Sequence, residues 1–164
     1  IWADVNLNFP VYNAKEVVLQ QLIQVAGRAG RSSQNGRVII QSMTENPLFK
    51  YINEIDYFKF YEHEIINRKL IGYPPLIRFA EIELKYKKEE VVEQESFLIA
   101  SILLKHTHIR VLGPTQPPVS KIKRLFSRKI YIKSDHFNHL TAAFSALKTI
   151  AIKSEIYFTP QPLS

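Results

Sequence analysis

Residues 72–75 read Gly-Tyr-Pro-Pro, and no regular element can run through them. A proline pair supplies no amide donors, and each proline disfavours helical backbone in the residue before it. A helix arriving from upstream must stop there, and the next element starts afresh. The chain has 164 residues, 46% of them hydrophobic, enough for one sizeable core, or for one core plus an appendage.

Downstream, residues 76–164 predict a β-α-β-β-α-β order. Ile77, Phe79, Ile82, Leu84 and Tyr86 alternate as a strand whose phase slips near Ala80. Residues 89–106 have helical spacing, and 109–112 form a short apolar strand. Ile130 and Ile132 alternate with Tyr131 in a third strand over 129–133. Phe137, Leu140, Phe144 and Leu147 have helical spacing, and 155–158 close the set. That order is the split βαβ, ferredoxin-like pattern of an α+β domain.

Upstream, Asn13 is a candidate N-cap for a helix over residues 15–31. Ser32 to Gly36 is a turn cluster, and residues 37–41 (RVIIQ) predict a short buried strand. Residues 46–75 predict a mostly helical connector entered through Asn46-Pro47. Asp56 is placed to cap its helix, with Tyr57, Phe58, Phe60, Tyr61 and Ile65 on the apolar side and Glu64 and Arg68 as an i, i+4 ion pair. The aromatic set is expected to pack rather than to stack on a ligand.

The sharpest chemical signal is Gln24-Val25-Ala26-Gly27-Arg28-Ala29-Gly30-Arg31. At about 100° per residue, Val18, Leu22, Val25 and Ala29 gather toward a core. Gln24, Arg28 and Arg31 stand in one arc opposite, flanked by Gly27 and Gly30. Each glycine costs about 1 kcal/mol against alanine inside a helix, so two together ask for a reason. Guanidiniums offer a fixed fork of donors to phosphate oxygens and offset charge in phosphoryl transfer.

A second signal is regional charge. The chain carries a net charge of +7, yet residues 96–134 contain eight Lys and Arg and no acid. Lys121, Lys123, Arg124, Arg128 and Lys129, with Phe126 among them, crowd into 121–129 after a proline loop. Such a cluster suits a phosphate backbone, with the aromatic stacking an unpaired base. The chain has no cysteine, and His106, His108, His136 and His139 have no ligand set to complete, so no metal site is expected. Neither a signal peptide nor a 20-residue apolar span is visible. A cytoplasmic, nucleoid-associated piece of a longer protein is the expectation, with no membrane partner.

QVAGRAGR resembles the last helicase motif, Q-x-x-G-R-x-G-R, of superfamily 2 ATP-dependent helicases. Ala3-Asp4 before Pro10, Asp56-Tyr57, Phe60-Tyr61, Glu64, Arg68, Tyr73-Pro74-Pro75 and Gly113-Pro114 narrow the resemblance to the PriA-type replication-restart helicases. The resemblance implies three parts: residues 1–45 as the tail of the second RecA-like lobe, 46–75 as connector and 76–164 as a C-terminal DNA-binding domain. It implies Arg28 and Arg31 as nucleotide-phosphate contacts, Arg31 the finger, with Gln24, Gly27 and Gly30 lining and coupling that site. It also implies ATP and magnesium in the whole protein, zinc held only upstream, and forked or branched DNA, primosome proteins and single-strand-binding protein as partners.

The five glycines (Gly27, Gly30, Gly36, Gly72 and Gly113) make no G-x-x-x-x-G-K-[ST] loop, and no Asp-Glu pair exists. The piece alone is expected not to hydrolyse ATP. Two other classes fit the composition: a nucleic-acid module of the RNA-binding ferredoxin-like kind, and an interaction domain whose basic strip meets an acidic protein.

Overall fold

A computed structural model describes residues 7, 12–32, 37–53 and 56–162, with side chains at all of these except 30–32. The chain divides into two compact units between Asn67 and Arg68, inside the stretch expected to be the connector.

In the first unit, helix α1 spans Ala14–Ser32. Val18, Leu19 and Leu22 are buried along it and meet Leu48 and Phe60 in a small core. Leu48 belongs to a 3-10 helix, Pro47–Tyr51, whose start is fixed by Asn46: its Oδ1 accepts from the Leu48 amide at 3.0 Å. Phe60 lies on helix α2, Tyr57–Ile71, with the Tyr51 ring edge-on at 5.8 Å.

Three local expectations change here. Asn13 precedes α1, but its Oδ1 is buried with no hydrogen-bond partner among the described residues. Residues 37–40 are irregular and Gln41 makes only an isolated bridge, with Ile39 exposed. A strand is held by the ladder beside it, and RVIIQ has no such ladder among the described residues. Of the connector aromatics, Phe60 is buried but Phe58 and Tyr61 are exposed.

The end of α2 opens the second unit. Gly72 has a positive φ of 65°, the Tyr73 amide donates to Arg68 O at 2.8 Å, and the Gly72 amide donates to Lys69 O at 3.4 Å. This is a Schellman termination, which needs a left-handed residue at the glycine. The Pro74–Pro75 peptide is cis.

Beyond it lies an antiparallel sheet, built from β1 (Arg78–Tyr86), β2 (Arg110–Thr115), β4 (Leu125–Ser134) and β5 (Glu155–Pro160) in the order β2-β4-β1-β5. Helices α3 (Glu89–Leu103) and α4 (Phe137–Leu147) supply the crossovers. With the short β3 (Lys121–Ile122) set aside, this is the expected split βαβ topology. Both helices cover one face. Ala80, Ile82 and Leu84 of β1 and Ile130 and Ile132 of β4 are fully buried against Val92, Ile99 and Leu103 of α3 and Leu140, Ala143 and Leu147 of α4.

The phase of β1 does not slip. Ala80 is in step with Ile82, Leu84 and Tyr86 on the helix side, while Phe79 turns to the other face and stacks on Tyr131 with ring centroids 5.4 Å apart. Two apolar residues on opposite faces look like one broken alternation when only sequence is read. Gly113 (φ 98°) sits where β2 shifts register against β4; a Cβ there would lie 2.9 Å from Lys129 O. Glu95 on α3 accepts from the Lys153 and Ser154 amides at 2.8 Å each, fixing the turn before β5.

Candidate nucleic-acid interface

The basic stretch is not a loop. Residues 121–134 form a hairpin in which Lys121 pairs with Phe126 and Ile122 with Leu125, and the Ser127 amide donates to Ser120 O at 2.9 Å. Two residues make the turn, Lys123 (φ 48°) and Arg124 (φ 69°). A two-residue hairpin turn with both central φ values positive matches the right-handed twist of its strands, and Asn-Gly is its favoured filling. Here two long cations occupy it, each in the left-handed region that non-glycine residues rarely adopt. The tip therefore holds its charges outward despite local backbone strain, a combination that points toward function.

Strand alternation sorts the other expected contacts. Arg128 shares the helix face of β4 with Ile130 and Ile132. Its Nη2 lies 2.9 Å from Glu89 Oε1 and 3.7 Å from Glu93 Oε2 at the start of α3, and its side chain is 9% exposed. Lys129 faces the other way, and its Nζ sits 3.0 Å from Glu81 Oε2. Both cations are thus engaged within the domain, where they hold β4 to α3 and to β1. Phe126 packs against the domain core, and Lys121 Nζ covers its ring at 4.7 Å from the centroid. The ring supports the hairpin from beneath. Lys121, Lys123 and Arg124 remain exposed.

The sheet face away from the helices carries its own network. Burial first, then the Glu81 charge and hydrogen bond, push the Tyr131 hydroxyl up to about 12. Lys85 bridges to Glu83 at 2.8 Å and lies over the Tyr157 ring at 4.9 Å.

On α1, Gln24 and Arg28 are exposed on the side away from Val18 and Leu22. Val25, expected in the core, is 39% exposed; the apolar stripe is carried instead by Leu19, which sits between Val18 and Leu22. A Cβ added at Gly27 meets nothing within 4 Å, so no described neighbour requires a glycine there. Gly30 and Arg31 lie in the last turn of α1, and their side chains fall outside the described ones.

The model for the family "Primosomal protein N C-terminal domain" matches residues 69–159. The chain belongs to that family. Replication restart protein PriA of Bacillus subtilis is 31% identical over 143 residues, 85% of this chain and 18% of that protein. PriA of Synechocystis sp. is 30% identical over 156 residues, covering 93% and 19%, and PriA of Chlamydia pneumoniae 34% over 136 residues, covering 80% and 18%. The chain spans about a fifth of the length of these relatives. The family's domain thus coincides with the split βαβ sheet and its hairpin. No helix among the described residues is long and apolar enough to cross a membrane.

Proposed function

We propose that this chain is the C-terminal portion of an ATP-dependent DNA helicase that restarts stalled replication forks and seeds primosome assembly. The observation that carries its DNA-contacting role is the hairpin tip: three exposed cations, two of them in a turn whose backbone favours other residues. A basic two-stranded ribbon of this size fits a DNA groove or tracks the phosphates beside it. Membership in the primosomal C-terminal family supports the same reading, as does the name of the relatives.

The α1 face has a separate role. Arg28 and Arg31, with Gln24 beside them, contact nucleotide phosphates bound between helicase lobes, and the bare Gly27 leaves room for that approach. ATP supplies the driving chemistry in the whole protein; the phosphate loop and the magnesium carboxylates come from elsewhere in it, since this sequence contains neither. Primosome proteins and single-strand-binding protein are the expected protein partners.

Fluorescence anisotropy against forked, duplex and single-stranded DNA across a salt series tests the DNA role. Fork-preferring binding that weakens steeply with salt is the expected result. No binding at low salt would remove the DNA-contact assignment and make the domain a protein-docking element.

A further inference from the structure

A second concentration of positive charge lies at the other end of β4. Arg110 of β2 and Lys133 of β4 are directly opposed partners across the antiparallel pair, a placement that is unfavourable for like charges. Lys133 is 9% exposed. Its Nζ donates to Ile71 O at 3.4 Å and lies 3.6 Å from the Tyr73 ring centroid. Among the described residues neither Lys133 nor Arg110 has a carboxylate within ion-pair distance. Burial, and then the charge of Arg110, hold the Lys133 ammonium below the ordinary lysine value.

Both residues line a cavity of about 500 Å³, which Lys69 also borders and in which Asp135 is the one carboxylate among the described lining residues. His139 lines it too. Ser134 Oγ donates to His108 O at 2.7 Å and lies 3.0 Å from His139 Nδ1.

A buried ammonium opposite a guanidinium, without a counter-ion and beside a roomy polar cavity, is incomplete as a structural pair. We propose that this cavity takes a phosphate group of the nucleic-acid backbone, gripped by Lys133 and Arg110. The inference rests on the DNA-binding reading above and extends it. β4 runs from the hairpin to the cavity, and its ten residues span about 30 Å, roughly nine base-pair steps. One strand of sheet thus offers two anchorages to one length of nucleic acid.

The test is anisotropy of the full chain on a 20-bp duplex and a fork of equal arm length, with salt series for the wild type, Lys133→Met and Arg110→Gln. Each variant should bind roughly three- to tenfold more weakly and lose about 0.9 from the salt slope, with an unchanged circular dichroism spectrum. Wild-type affinity and slope in a folded variant would overturn the pocket while leaving the hairpin reading intact. Arg110 is exposed, so its variant keeps the question open to decision if Lys133→Met does not fold. If the wild type binds no DNA, the reading underneath fails instead. Inorganic phosphate titrated against the Ser134 and His139 amide resonances then separates two results: saturable shifts make this a free-phosphate site and overturn the backbone source, and no shifts overturn the pocket itself.

Discussion

Arg128 Nη2 and Glu89 Oε1 sit 2.9 Å apart, joining the middle of β4 to the first turn of α3 across the edge of the core. The guanidinium is nearly enclosed, while the carboxylate stays partly in water, so losing the arginine leaves no buried orphan charge. Arg128→Ala should cost about 1–2 kcal/mol, from the hydrogen bonds and stem packing together. Urea unfolding checks the loss. DNA affinity should hold within twofold of the wild type, and a tenfold fall would return Arg128 to the DNA-contacting set.

The hairpin tip allows fold and binding to be moved in opposite directions. Lys123→Asn with Arg124→Gly installs the residues that the turn favours and deletes two charges. Stability should rise by about 1 kcal/mol, and the DNA salt slope should flatten by about 1.8, two phosphate contacts' worth. If affinity survives while stability rises, the tip is not where the phosphates are held.

Two glycines should respond oppositely to alanine. At Gly113 a Cβ meets Lys129 O at 2.9 Å on a backbone with φ 98°, so Gly113→Ala should destabilise by roughly 2 kcal/mol or more. At Gly27 nothing is met, so Gly27→Ala should raise the stability of α1 by up to about 1 kcal/mol. In the full-length protein, on the reading proposed above, the same change should slow DNA-stimulated ATP turnover, as should Arg31→Ala, with fork binding retained. Thermal melts of the chain and a phosphate-release assay on the whole protein read the two effects separately.

Glu95 sets a pH dependence. Burial acts to raise its carboxyl, but the Ser154 side chain, the two accepted amides and the Lys153 charge outweigh it and hold the group below its ordinary 4.5. A carboxyl depressed in the folded state contributes stability in full above its unfolded value, and that contribution fades as pH falls through the folded one. The urea midpoint of the wild type should therefore drop on acidification below about pH 4.5 more steeply than that of Glu95→Gln. Parallel curves would assign the acid loss to other carboxylates.

The sheet was readable where alternation and burial coincide. Ile130 and Ile132 mark the helix face of β4, and Leu140, Phe144 and Leu147 mark α4. Three features were hidden for separate reasons. Lys-Arg in place of Asn-Gly disguised a tight hairpin as a charged loop. Phe79 beside Ala80 imitated a break in phase because the face away from the helices has an aromatic stack of its own. Arg128 and Lys129, adjacent in a basic run, point to opposite faces and meet Glu89 and Glu81, residues 39 and 48 positions away; a local charge count contains no such partner. The cavity at Lys133 was likewise illegible, because its opposition to Arg110 exists only through strand register.

The strand that opens the family domain is flanked by the two that arrive last: β1 pairs with β4 on one side and β5 on the other. During synthesis its Ala80, Ile82 and Leu84 row has no sheet partner until roughly forty further residues have been added, an interval of about two to eight seconds at ordinary elongation rates. A nascent or C-terminally clipped chain lacking β4 and β5 would therefore present a bare apolar strand with both edges open, an invitation to association with other chains. Completion of β4 and β5 is thus a folding checkpoint for this domain, and a single proteolytic cut before β4 should silence it entirely rather than trim it.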